Sequence, residues 1–187
     1  MLTAVLKNKS TAVKITVKGA ISVLMIVLAV ALPQIAHIAG GAAAGAVYLP
    51  MYAPALIAGC ILGWQWGLGV GALSPLASFA FTSLLLDSAM PAAARLPYMV
   101  VELAAFGLVS GLFCKKIAKN ALFAFHAVIA AQVAGRLIYF ISAVIFGQSA
   151  AAVWGVIESG LTGLYIQAAI VPVIVLLLSL AVKNDRD

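Results

Sequence analysis

Three charged side chains interrupt long apolar segments of this chain: Glu102, Arg136 and Glu158. An ionisable group inside a membrane is expensive, so each is expected to have a partner or a function. Both glutamates lie about five residues from the same side of the predicted bundle, roughly 8 Å deep at about 1.5 Å per residue. Arg136 lies about ten residues, or roughly 15 Å, from that side. All three are therefore predicted in its outer half.

Two interpretations of these charges are compatible with each other. Arg136 and one glutamate can form an internal ion pair that holds three helices together, while the second glutamate contacts a ligand in an outward-facing pocket. Soft or aromatic residues near the same side suit a flat organic ligand, although each alone is more often a packing residue. His37 is either a hydrogen-bonded structural residue or a ligand contact, including axial coordination of a metal in the ligand. The predicted substrate-binding set is His37, Met51, Tyr52, Met90, Tyr98, Glu102, Arg136 and Glu158.

The sequence contains none of the usual catalytic motifs. There is no HExxH, no GxSxG and no GxxxxGK[ST], so the chain is not expected to be an enzyme or to hydrolyse ATP by P-loop chemistry. His37 and His126 are predicted at opposite faces and do not easily share a metal. Cys60 and Cys114 lack metal-ligand spacing and are interpreted as small buried residues. No metal or cofactor of the protein's own is predicted.

The elements that position these residues are predicted to be membrane helices. Of the 187 residues 65% are hydrophobic and only 9% are charged, whereas soluble domains have about a quarter charged. Apolar runs such as residues 21–32 are continuous, which favours helices over barrel strands. We predict one all-α integral membrane domain, residues 1–187, with six transmembrane helices at about 12–32, 49–63, 66–86, 97–114, 121–146 and 153–182.

Two features set the predicted topology. The Gly-rich segment 33–48 is interpreted as a capping or re-entrant segment between the first two helices. Lys and Arg concentrate in cytoplasmic loops of membrane proteins. With six crossings, nine of the eleven basic residues fall on one side, which predicts cytoplasmic N- and C-termini and explains the net charge of +6 without nucleic acid. The exceptions are Arg95 and Arg136. The predicted location is the bacterial cytoplasmic membrane, with lipid as solvent.

Several apolar, Gly-rich stretches follow one another in a characteristic order and spacing. They are residues 48–59, Gly63, 67–75, Met90-Pro91, 97–107, Ser110-Gly111 and Gly135-Arg136. Taken together they resemble the S components of energy-coupling factor transporters, and the similarity covers roughly residues 15–182. The resemblance implies a six-helix subunit that binds a micronutrient in an outward-facing pocket. Such a subunit docks on a transmembrane coupling protein with two ATPase subunits, which would place ATP hydrolysis in the partners.

The resemblance leaves the docking surface and the substrate open. Many such subunits carry an Ala-x-x-x-Ala pair on helix 1, which is missing here. Gly19, Ala20 and Ser22 offer small residues for docking, but at a different spacing. The predicted substrate is a tetrapyrrole such as cobalamin or haem, or a small vitamin such as pantothenate or riboflavin. The alternatives are a stand-alone carrier or channel, which would need a polar path through both halves of the bilayer, and an intramembrane enzyme.

Overall fold

The computed structural model describes residues 10–41, 44–85 and 90–184 and is helical nearly throughout, with no strand in these ranges. A 3₁₀ turn at Ala93–Arg95 leads into the fifth helix. The helices are α1 (Thr11–Gly40), α2 (Ala44–Tyr48), α3 (Tyr52–Leu62), α4 (Trp64–Leu85), α5 (Leu96–Leu112), α6 (Cys114–Lys119), α7 (Phe123–Ile145), α8 (Ala150–Ser159) and α9 (Leu161–Asn184).

Five helical segments of the described chain are long and apolar enough to cross a membrane, which makes this a helical, multi-pass membrane protein. They are Thr11–Gly40, Trp64–Leu85, Ala93–Leu112, Phe123–Ile145 and Leu161–Ala181. The predicted second crossing corresponds to α3, whose 11 residues rise only about 17 Å. A hydrocarbon core is about 30 Å thick, so α3 is too short to span it alone.

Two predicted helix boundaries differ from the observed ones. The first helix does not stop before Pro33 but continues to Gly40, so the segment predicted to cap the bundle is helical over residues 33–40 and again in α2. Proline is tolerated within a membrane helix where neighbours compensate the lost backbone bond. The chain turns at Gly41, whose φ of 74° favours glycine. The predicted last helix is also two helices, α8 and α9, which are separated at Gly160.

Close approach of α3, α4 and α5 forms the centre of the bundle, and α4 and α5 pack most extensively. A Cβ on Gly67 would meet the carbonyl oxygen of Gly107, and a Cβ on Gly107 would meet the backbone of Gly67. Small residues let membrane helices approach through van der Waals contact where lipid supplies no hydrophobic driving force. The glycines therefore fix the distance between α4 and α5, and α5 carries Glu102.

This packing predicts different effects for two neighbouring glycines of α4. A Cβ at Gly71 would overlap the backbone of Leu103, whereas a Cβ at Gly69 meets nothing within 4 Å. Gly71→Val is expected to lower the free energy of unfolding by about 1–3 kcal/mol, because overpacking forces the helices apart. Gly69→Val is the matched control. The free energy of unfolding of Gly71→Val and Gly69→Val is measured in detergent. Equal stability of the two variants would contradict the packing of α4 on α5.

Two described lysines lie at the end of the bundle where α3 ends, Lys18 on α1 and Lys116 on α6. The first residue of α6, Cys114, donates through Sγ to the carbonyl oxygen of Ile61, which places α6 at this end. Lys18 Nζ donates to the carbonyl oxygen of Leu62 at 3.3 Å. Lys116 on α6 lies over the Phe113 and Phe123 rings. Three of the basic residues used to predict the topology, Lys7, Lys9 and Arg186, lie outside the described residues.

Candidate functional site: a buried charged cluster

Glu102 is the centre of a charged cluster inside the apolar bundle. It is fully buried, and its Oε1 accepts from Nη1 of Arg136 at 2.8 Å. The Tyr52 hydroxyl donates to Oε2 at 2.6 Å. The predicted pairing of Arg136 with a membrane glutamate is therefore confirmed, and the partner is Glu102. We call Tyr52, Glu102 and Arg136 the charged cluster.

Aromatic rings surround the guanidinium of Arg136. Its Cζ lies 5.3 Å from the ring centre of Tyr52 and 5.8 Å from that of Tyr139. A cation near an aromatic ring gains about 2 kcal/mol or more when both are out of water. The Tyr98 ring meets that of Tyr139 edge-on at 5.5 Å, and the Phe106 ring meets that of Tyr52 edge-on at 5.0 Å. These rings fix the position of the arginine and keep water away from the ion pair.

One edge of the guanidinium has no partner among the described residues. Arg136 is 8% exposed, and while Nη1 bonds to Glu102, neither Nε nor Nη2 has a hydrogen bond. Nη2 points towards Gly160, since a Cβ there would lie 3.0 Å from it. The same Cβ would lie 3.0 Å from Cδ1 of Leu49. Buried donors without acceptors are rare in proteins, so this edge is the most unusual polar feature of the site.

Three helices bring the cluster together. Tyr52 is the first residue of α3, Glu102 lies on α5, and Arg136 lies on α7. Residues three or four apart on a helix share a face, and α7 buries Gln132, Arg136 and Tyr139 on one stripe. Gly135 lets α7 approach α5, because a Cβ there would overlap the Phe106 ring.

A second set of polar contacts holds the segment that precedes α3. Gln167 of α9 donates through Nε2 to the carbonyl oxygens of Tyr48, at 3.2 Å, and Leu49, at 2.8 Å. A Cβ on Gly163 would overlap the backbone of Tyr48. Leu49 has a φ of 50°, which is uncommon for a residue with a side chain. This segment therefore follows a tight path between α9 and the cluster.

The structure brings some of the predicted binding residues together and separates others. Met51 and Tyr98 are both buried. Met51 lies in the same hydrophobic core as Tyr52, and Tyr98 packs against Tyr139 in a second core. Three others lie elsewhere within the described ranges. The His37 ring lies 3.3 Å from the Gly41 carbonyl oxygen and within 3 Å of a Cβ built on Gly45. Met90 bonds through its backbone to Ser78 and Thr82, and Glu158 is exposed on α8.

The three small residues predicted for docking do not share one environment. Ala20 is exposed, and a Cβ on the half-buried Gly19 would meet nothing within 4 Å. Ser22 instead is 8% exposed and faces the bundle. The accessible surface of α1 continues from Ala20 through Val23, Leu24 and Val27, which are all exposed.

Sequence reasoning missed Tyr139, Gln132 and Gln167. Gln132 donates to the carbonyl oxygen of Leu164 at 2.8 Å and so ties α7 to α9. Polar side chains within membrane helices usually bond to a neighbouring helix, and this alone was sufficient to select both glutamines. Tyr139 could have been found from its position three residues after Arg136, on the same helix face.

Comparison of the chain with protein-family models, with curated proteins and with solved structures finds no match. The chemistry that the site can perform is therefore inferred from its geometry. It combines an ion pair of no net charge, apolar surroundings lined by aromatic rings, and two parallel N–H groups without an acceptor among the described residues.

Proposed function

We propose that this chain is the substrate-binding S component of an energy-coupling factor importer, which captures a vitamin or cofactor-like micronutrient. One observation carries the proposal, namely a buried arginine whose Nε and Nη2 have no acceptor within the part of the chain that the structure describes. A purely structural ion pair has no need of an arginine whose Nε and Nη2 donors stay unused, whereas a binding site does. The sequence has no P-loop, so partner ATPases would supply the energy.

The proposed topology has six crossings, with both termini on the cytoplasmic side of a bacterial cytoplasmic membrane. The short α3 enters from the outer side and is completed by the segment before it. The positions of Lys18 and Lys116 at one end of the bundle support this orientation. The cluster then lies in the outer half, and residues 44–49 form the cap that opens for the substrate.

Reporter fusions test this topology. A fusion after Gln148, between α7 and α8, is expected outside, and a fusion after Asp187 is expected inside. A fusion after Asn120, between α6 and α7, is the internal control and should agree with the one after Asp187. If the fusions after Gln148 and Asp187 report the same side, the six-crossing topology is wrong.

The proposed partners are a transmembrane coupling protein and two ATPases, which would meet the chain on α1. This helix buries only Ser22, Ala29 and Pro33 of its 30 residues. Its exposed side therefore leaves room for a second helix next to Gly19 and Ala20. Contact between helices in lipid depends on small residues that permit close approach.

The molecule that co-purifies with the detergent-solubilised chain tests the proposed function directly. Native mass spectrometry and absorbance are expected to show one micronutrient at a one-to-one ratio, retained without ATP or partners. The Arg136→Lys variant should lose it, since a lysine cannot reproduce the guanidinium contacts. A chain that retains no such molecule and instead conducts ions or solutes in liposomes would replace this function with the stand-alone channel or carrier.

A further inference from the structure

We infer that the unpaired edge of Arg136 is the docking site for a carboxylate of the substrate. The inference rests on the proposed function and narrows its substrate class. Nε and Nη2 carry parallel N–H groups on the side of the guanidinium away from Nη1, which Glu102 occupies. Two parallel donors match the two oxygens of a carboxylate and form a bidentate, charge-assisted pair.

The surroundings of this edge favour a carboxylate over a neutral group. Glu102 and Tyr52 already bond to each other, so Tyr52 does not offer its proton to a ligand. The tyrosine rings near the guanidinium keep the edge dry, which strengthens a charged contact. Arg95 lies seven residues before Glu102, at the outer end of α5, and adds positive charge on the entry side.

The edge is closed in this conformation, because Nε and Nη2 are inaccessible to solvent and Gly160 lies next to Nη2. Leu49 lies beside Gly160, so we expect entry to displace Tyr48 and Leu49 and to break their two hydrogen bonds to Gln167. Among the substrates predicted from the sequence, the carboxylate requirement favours haem and pantothenate over riboflavin, which has no carboxylate.

Paired probes that differ only at the carboxylate test the inference. They are pantothenate with pantothenol, nicotinate with nicotinamide, biotin with its amide, and haemin with its dimethyl ester. The chain has three arginines, Arg95, Arg136 and Arg186, so ¹⁵N-arginine labelling in detergent resolves Nε–H of Arg136, assigned from Arg136→Lys. One carboxylate is expected to move this signal and to bind at least about 100-fold more tightly than its neutral counterpart, since unpaired buried donors penalise the neutral analogue strongly.

Gly160→Ala and Gly155→Ala form the matched variants. The new Cβ at position 160 would lie 3.0 Å from Nη2, whereas at position 155 it meets nothing within 4 Å. Gly160→Ala is expected to weaken binding of the carboxylate probe by about tenfold, which corresponds to about 1.4 kcal/mol. Gly155→Ala is expected to leave this binding unchanged. Equal affinity of the two variants overturns the inference.

Further outcomes of these measurements also decide it. The inference is overturned if no carboxylate probe shifts the Nε–H signal of Arg136. It is also overturned if each carboxylate probe and its neutral counterpart bind equally tightly. Tight binding of riboflavin at Arg136 would overturn it too, and would leave the proposed function intact. A shift produced by phosphatidylserine alone would assign the edge to a lipid carboxylate and overturn the substrate assignment. Conversely, a carboxylate bound at Arg136 without ATP-driven uptake in the full complex would remove the proposed function and leave this site standing.

Discussion

Replacing Arg136 by alanine is expected to lower the free energy of unfolding in detergent by about 3–5 kcal/mol, because it leaves a buried carboxylate without its cation. Glu102 is 0% exposed, and its Oε1 pairs only with Arg136 among the described residues. Thermal unfolding followed by circular dichroism would measure the loss. The double variant Arg136→Ala/Glu102→Ala is expected to be more stable than Arg136→Ala, since neither charge then remains buried.

Two exposed charges provide the controls for this prediction. Arg95 lies in the turn before α5 and Glu158 lies on α8, and both side chains are exposed. Arg95→Ala and Glu158→Gln are expected to change stability by no more than about 0.5 kcal/mol, the usual range for surface sites. Glu102→Gln should destabilise the protein clearly. If Glu102→Gln and Glu158→Gln are equally silent, the ion pair does not hold α5 and α7 together.

Gly19→Trp is expected to abolish uptake by the complete transporter while the isolated subunit keeps its affinity. Position 19 has open space around a Cβ and lies on α1, near Lys18, at the end of the bundle opposite the capping segment. A large side chain there prevents the close approach that two membrane helices need. We expect uptake to fall by about tenfold or more, equivalent to at least about 1.4 kcal/mol of docking energy.

Val133→Trp is the control for the docking surface. Val133 is 66% exposed on α7, on another side of the bundle, so a large residue there should meet lipid only. Binding of the co-purified molecule and uptake by proteoliposomes are measured for both variants. Loss of affinity in Gly19→Trp, or equal loss of uptake in the two variants, would contradict docking through α1.

The helical membrane class followed from composition, and the ion pair followed from the cost of charge in lipid. A bundle with so few charges cannot face water, and Arg136 had only Glu102 and Glu158 as partners at comparable depth. The sequence could not choose between them. The choice depends on Gly135, which brings α7 against Phe106 of α5 and so places Arg136 next to Glu102.

The segment between the first two predicted helices was the least predictable part. Pro33 and the following glycines favoured a break in the helix, yet α1 continues to Gly40. The backbone hydrogen bond that proline removes costs less free energy where neighbouring helices compensate for it. The path of Tyr48 and Leu49 depends on Gln167, which is 118 residues further along the chain from Leu49. No local pattern encodes such a contact, and the unpaired edge of Arg136 likewise appears only after the helices are packed.

Uptake by proteoliposomes tests whether the chain binds its substrate alone but depends on partner ATPases to transport it. Vesicles contain either the chain alone or the chain with a coupling protein and two ATPases, each with ATP inside, and the molecule that co-purifies is supplied outside in radiolabelled form. The chain alone is expected to bind this molecule at one per subunit without concentrating it, whereas the full complex concentrates it only when ATP is present. Accumulation against a gradient by the chain alone would contradict the account and establish a stand-alone carrier.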